Sequence, residues 1–308
     1  MKIKYLTLII AAITPLVFLS GCSPKMEIPS YIWIDSVDFR ITDEVKQGTA
    51  SHKITDVWIS ANGANLGMYQ LPARIPVLAD GATRLSIGAG IMLGGIPQIR
   101  RAYPFYTSYD LTATLKKGKI DTIRPHFTYI DNAQFYLIED FESAGFRFSA
   151  VGKSAPLNKT SDETLLFHHP KEDNNYSGIL ELPYTNDSAT VHHFEIRTLN
   201  PVNLTYLTAY YCLMELNFCI THDVEIGMIA HSANPALPDR QIPLANLAGV
   251  SNPKTDKPVW KKVYVNFSSE IGEESKYQMV NFDIYIRSTI AIGEEARYLF
   301  DNIKVVYN

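Results

Sequence analysis

The feature that most constrains the fold is an apolar–polar alternation of period two, repeated through the C-terminal half of the chain. Val280, Phe282, Ile284 and Ile286 fall on one side of an extended segment, with Asn281, Asp283, Tyr285 and Arg287 on the other. Val263, Val265 and Phe267 repeat it after Trp260, as do Phe194 with Ile196, and Val224, Ile226 and Met228. One buried and one solvated face per strand describes an antiparallel sandwich rather than a parallel sheet covered by helices. No segment after the N-terminal leader carries a convincing helical period. The fold class is therefore all-β.

The N-terminal half reads as a second, smaller β unit. Trp33, Val37, Phe39 and Ile41 share one strand face, interrupted by Asp35, and Asp56–Ser60 is a short strand before the turn residues Asn62-Gly63. Leu66-Gly67, Leu71-Pro72, Ile75-Pro76-Val77-Leu78 and Asp80-Gly81 follow, then a strand through Leu85 and Ile87. This order resembles the PEGA-type β-sandwich of envelope proteins over about thirty residues, which implies a scaffold or interaction module. The domain plan is a leader over 1–21, a tether over 22–30, an Ig/PEGA-like sandwich over 31–130 and a larger sandwich over 131–308.

Lys2 and Lys4 start the leader, and Tyr5 to Leu19 is nearly all apolar apart from Thr7 and Thr14. That run is short for a membrane span, and Pro15 disturbs a helix. A charged start, a short apolar core and small residues before a cut mark a secretory signal. Leu19-Ser20-Gly21-Cys22 resembles the bacterial lipobox, which implies cleavage before Cys22 and acylation of its thiol and amine. Two or three acyl chains anchor stably where one gives marginal binding. The expected location is the outer membrane, lipid-anchored and facing the cell surface. Lys25 and Glu27 match only in part the acidic export cluster of Bacteroidota surface lipoproteins.

Loss of the leader leaves 26 of the 28 basic residues against 32 acidic ones, a net charge of about −6. Basic residues are scattered, with pairs such as Lys116-Lys117 and Lys261-Lys262, so no nucleic-acid surface is expected. Cys212 and Cys219 remain once Cys22 carries lipid. A disulfide between them would be worth about 2.5 kcal/mol in the chain-entropy model. Seven residues apart on one straight strand they face opposite sides, so pairing requires a bend near Asn217; the alternative is two separate buried thiols.

Two segments invite a binding role. Gly88–Gly95 is glycine-rich and apolar, and Arg101–Asp110 holds Tyr103, Phe105, Tyr106 and Tyr109. An exposed apolar loop beside aromatics is a contact surface, so Ile91, Met92, Leu93, Tyr103 and Tyr106 are candidate partner contacts; packing against the second domain is the other way to cover them. Aromatics at this density also suit sugar stacking.

The opening Asp140-Phe-Glu-Ser and the closing Phe300-Asp-Asn-Ile-Lys resemble the two ends of the galactose-binding-like jelly rolls, a fold shared by many carbohydrate-binding modules. The resemblance implies adjacent first and last strands and a structural calcium there, held by Glu142 and Asp301 with Glu139 and Asp140 nearby. No other cofactor is expected. Tyr176, in Asn174-Asn175-Tyr176-Ser177, is a loop candidate for a sugar platform, whereas Trp260, starting a strand, reads as core.

No Gly-x-Ser-x-Gly elbow and no His-Glu-x-x-His motif occurs. Acids such as Glu225 stand isolated within strands, unlike the paired carboxylates of glycosidases. Members of His168-His169 and His192-His193 point to opposite strand faces, which argues against shared metal ligation. The chain is read as non-catalytic. Asp35-Ser36-Val37, Asp121-Thr122-Ile123 and Asp187-Ser188-Ala189 resemble the Asp-Ser/Thr-apolar O-glycosylation site of Bacteroidota envelope proteins, which marks Ser36, Thr122 and Ser188 as acceptors. The sequence favours a structural or interaction subunit of an outer-membrane complex. The alternative is a glycan-binding lipoprotein accessory to carbohydrate uptake.

Overall fold

The computed structural model describes residues 27–170, 172–203, 211–249 and 257–308. The expected leader and the expected lipidation site at Cys22 lie outside the described residues. The chain is all-β, built as two sandwiches. Among the described residues no helix is long and apolar enough to cross a membrane.

The first sandwich contains β1 (Ser30–Ile34), β2 (Asp38–Phe39), β3 (Asp56–Ala61), β4 (Ala64–Gln70), β5 (Ala73–Val77), β6 (Gly81–Met92), β7 (Arg100–Ala102), β8 (Tyr109–Leu115), β9 (Ile120–Thr122) and β10 (His126–Phe127). The β3–β4 hairpin turns at Asn62-Gly63, whose φ angles of 50° and 82° suit a two-residue turn that needs positive φ twice. One sheet runs β4-β3-β6-β7, with β8 on the other stretch of β6; facing it are β5-β1-β9 and the parallel pair β2–β10. A single turn of helix, α1 (Glu44–Gln47), is capped by Asp43, whose Oδ1 accepts from the Lys46 N–H at 3.1 Å.

The second sandwich holds β11 (Gln134–Glu139), β12 (Phe148–Ala150), β13 (Asn158–Thr160), β14 (Ser177–Leu182), β15 (His193–Thr198), β16 (Val202–Asn203), β17 (Cys212–Ile220), β18 (Val224–Ser232), β19 (Arg240–Leu247), β20 (Lys261–Asn266), β21 (Met279–Thr289) and β22 (Ala296–Tyr307). Its sheets are β13-β14-β22-β17-β20, with β11 on β22, and β12-β15-β21-β18-β19, with β16 on β21. The apolar sides of the alternating strands, Phe282, Ile284 and Ile286 among them, meet between these sheets. An eight-residue helix, α2 (Ser268–Ser275), buries Ile271 at one end of that core. Its short span and low apolar content hide it from a periodicity reading.

The two sandwiches share a seam. All nine residues of β17 are buried. Met214, Leu216 and Phe218 face the second core, while Leu213, with Tyr264 and Val306, joins the core of the first sandwich. Glu215 also lies in the seam, with Lys262 Nζ at 2.8 Å and Lys304 Nζ at 3.9 Å. The hydroxyls of Tyr103 and Tyr129, from the first sandwich, donate to its Oε1 at 2.5 and 2.9 Å. Lys304 in turn donates to the Gln47 carbonyl, and Asn217 Nδ2 donates to Ser51 Oγ at 3.0 Å. Burial alone would raise the Glu215 pKa, but the charges of Lys262 and Lys304, with hydrogen bonds from Lys262 and Tyr103, outweigh it and hold the carboxyl down at about 2.

This seam corrects the proposed partner surface. Gly88–Met92 is the last stretch of β6, not a loop. Ala89 and Ile91 point into the first core while Gly88 and Gly90 fall on the other face, an alternation that glycine conceals. Ile91, Tyr103 and Tyr106 are buried, and Leu93 forms a bridge to Tyr264 of the second sandwich. Met92 and Leu93 are half-buried. The chain covers these residues itself.

The disulfide is corrected as well. Cys212 and Cys219 are buried near the two ends of one continuous strand and form no disulfide with each other. At about 3.3 Å per residue, their seven-residue separation puts them roughly 23 Å apart. Asn217 makes no bend that would join them.

Candidate functional site

The seam covers the outer face of β17, β20 and β22. Among the described residues the outer face of β12-β15-β21-β18-β19 stays partly exposed at Arg197, Glu225 and Arg287, while Tyr285 is fully buried within it. Register fixes their neighbours. Arg287 on β21 lies opposite Glu195 on β15 and Glu225 on β18, and Tyr285 lies opposite Arg197 and Gly227.

These side chains form one bonded lattice. Arg287 Nη2 donates to Glu225 Oε1 at 2.7 Å, and its Nη1 stands 4.0 Å from Glu195 Oε2. Glu195 Oε1 accepts from Arg197 Nε at 2.6 Å, and Glu225 Oε1 also accepts from the Tyr285 hydroxyl at 2.6 Å. The Arg287 guanidinium sits 5.0 Å over the Tyr285 ring. That ring lies flat across Gly227, where a Cβ would come within 2.4 Å of it, so the position demands glycine. Burial and the Glu225 carboxylate push the Tyr285 phenol up to about 12, so it stays a donor. Farther along, His231 presents Nε2 to Asp283 and Nδ1 to Asp239, each at 3.0 Å. Thr198 Oγ1 donates to Asp283 Oδ1 at 3.2 Å. The Arg287 side chain is 38% exposed and that of Glu225 26%, so each group is fixed from one side and reachable from the other.

Glu225 is thus not an isolated acid. Sequence reading places these residues on the solvated strand faces, but Tyr285 is fully buried there, and their mutual contacts are missed. The signal was the concentration of Glu and Arg at outward positions of strands that are neighbours in space but distant in sequence.

The calcium pair does not fit a cation. Glu142 Oε1 accepts the N–H groups of Asn175 and Tyr176 at 2.8 and 2.9 Å, and Oε2 accepts Asn175 Nδ2 at 3.0 Å. Asp301 Oδ2 accepts Ser177 Oγ at 2.5 Å and Asn174 Nδ2 at 3.0 Å, while Oδ1 accepts the Asn302 N–H at 2.8 Å. Calcium needs six to eight oxygens that face it, and here three N–H or O–H donors already hold each carboxylate. Glu139 is spent the same way, on the backbone N–H groups of Phe141 and Arg147. Among the described residues no three His, Cys, Asp or Glu side chains gather to hold a metal. The two ends of the resemblance therefore build a hydrogen-bonded corner.

Other expected residues lie apart from the open face. Tyr176 is 40% exposed with Lys159 Nζ 5.4 Å from its ring centre, and Trp260 packs edge-on against Phe167 at 5.4 Å. His169 stands 3.5 Å from Glu172. Ser36, Thr122 and Ser188 are all exposed.

No family model matches the chain, and no curated protein does. Solved structures resemble it in part. One, of carbohydrate-binding modules from the beta-sandwich superfamily, is 12% identical with a TM-score of 0.36, covering 80% of this chain and 83% of its own. The family 11 carbohydrate-binding module from Clostridium thermocellum is 12% identical with a TM-score of 0.36, covering 57% and 95%. The K1 cleaved adhesin domain of Lys-gingipain from Porphyromonas gingivalis W83 is 11% identical with a TM-score of 0.37, covering 56% and 98%. At such scores no ligand site carries across.

Proposed function

We propose that this chain is a non-catalytic glycan-binding lipoprotein of the outer membrane, facing the cell surface, anchored through Cys22 and binding on the open face of its second sandwich. The observation that carries the reading is the lattice of Glu195, Arg197, Glu225 and Arg287, braced by the buried Tyr285. Sugar hydroxyls both donate and accept, and a surface of alternating carboxylates and guanidiniums answers both roles. Because the groups already hold one another in place on rigid strands, little side-chain entropy is lost on binding. The face carries Glu195, Glu225, Asp239 and Asp283 against Arg197 and Arg287, which favours neutral glycans over anionic ones. Exposure of Ser36, Thr122 and Ser188 leaves each open to O-glycosylation. The competing role, a structural subunit of a membrane complex, loses its basis because the apolar and aromatic segments that motivated it are buried in the seam.

Titration of the purified protein against soluble neutral polysaccharides tests this reading. Arg287→Ala and Glu225→Gln should each weaken binding tenfold or more at unchanged melting temperature. Equal binding by wild type and both variants would remove the site. For the anchor, Cys22→Ala should abolish labelling by a palmitate analogue and release the protein from membranes.

A further inference from the structure

A cleft of about 790 Å³ opens along the seam on another side of the molecule. The first sandwich contributes α1 with its cap Asp43 and the chain from Tyr129 to Ala133; the second contributes the start of β11 and residues Arg147, Leu199 and Asn200. Its size falls within the range of about 300–1,000 Å³ typical of small-molecule sites, and domain interfaces are a common place for them. The Glu215 network behind it fixes the relation of its two walls.

Its polar groups differ from those of the open face, where the charges are paired with one another. Here the Arg147 guanidinium, the Asp131 carboxylate and the amides of Gln134 and Asn200 make no hydrogen bond or ion pair with any of the described residues. The other cation of the lining, Lys46, is 3.6 Å from Asp43. Tyr136 lies at the cleft with 42% of its surface exposed and its hydroxyl on the Pro201 carbonyl at 3.3 Å, so its ring is held but uncovered.

We propose that this cleft is a second binding site, for a short acidic oligosaccharide whose carboxylate pairs with Arg147. A guanidinium presents two parallel N–H donors that match a carboxylate. Asp131, Gln134 and Asn200 supply acceptors and donors for ring hydroxyls, and Tyr136 offers an aromatic face for the apolar side of a pyranose. A single guanidinium among groups that bind hydroxyls suits carboxylates spread along a hydroxyl-rich chain and disfavours the concentrated charge of a phosphate dianion. The proposal stands apart from the open-face reading, since it rests on different residues.

The test is calorimetric titration of the full-length mature protein with trigalacturonate, with the neutral galactose trisaccharide and with inorganic phosphate. Trigalacturonate should bind, the neutral trisaccharide at least tenfold more weakly, and phosphate not measurably. Arg147→Ala should cost tenfold or more in affinity for trigalacturonate, with Arg147→Lys retaining part of it and Tyr136→Ala losing about fivefold. Both sites are on the surface, so melting temperatures should not change. Absence of trigalacturonate binding, equal affinity for the neutral sugar, preferred binding of phosphate, or indifference to Arg147→Ala would each overturn the proposal.

Discussion

Glu215 is fully buried between two ammonium groups and two phenols contributed by both sandwiches. Removing one partner of a buried ion pair strands the others, at a cost of about 3–5 kcal/mol. Glu215→Ala should therefore lower the urea midpoint sharply, while the double change Glu215→Leu with Lys262→Met should restore part of the loss. Asp301 behaves differently. Burial, stronger than the hydrogen bonds from Ser177 and Asn174, raises its pKa to about 7 from 3.8. The folded state then holds a proton that the unfolded chain releases, so this group's stabilisation is complete below about pH 4 and is lost as pH rises to about 7. At roughly 1.4 kcal/mol per unit the change is a few kcal/mol. Asp301→Asn should flatten that part of the stability–pH curve in denaturant titrations at pH 4, 5.5 and 7. Neither role was legible in the sequence. Glu142 and Asp301 drew attention through a motif, but whether a carboxylate meets a cation or an amide depends on loops that no spacing encodes.

At the scale of elements, strands with one wet face were the most legible, because a two-residue period survives any tertiary context that leaves one side in water. Strand β21 is the clear case, and its outward Asp283 and Arg287 belong to the candidate site, although Tyr285 between them is fully buried. Strands covered on both sides were not legible. In β17, Leu213, Glu215 and Asn217 face the neighbouring sandwich, so polarity there reports a seam rather than solvent. The end of β6 was misread for the same reason, with glycine removing the outward half of the pattern. Replacing Ile91, Met92 and Leu93 together by serine should cost several kcal/mol, since large-to-small core changes run about 2–5 kcal/mol each and buried hydroxyls add to that. A thermal melt checks it. The buried thiols give a second test. Burial pushes the Cys212 thiol pKa up, and Cys219 is likewise enclosed, so an alkylating reagent should label neither residue until denaturant is added.

At the scale of the molecule, the seam makes the two sandwiches interdependent. Expressed without residues 31–130, the second sandwich would present Leu213, Tyr264 and Val306 to water beside Glu215 and its lysines. Such a fragment should aggregate, whereas the intact chain should melt in one transition by calorimetry. The place of β1 has a mechanical consequence. It lies between β5 and β9, with five register pairs to one and three to the other. A pull applied from the Ser30 side, along the strand, would shear both ladders at once instead of peeling one bond at a time. Under tension applied at Ser30, the first sandwich should hold as a clamp, and the rate of forced unfolding should depend on β1 more than on any strand of the β4-β3-β6-β7 sheet.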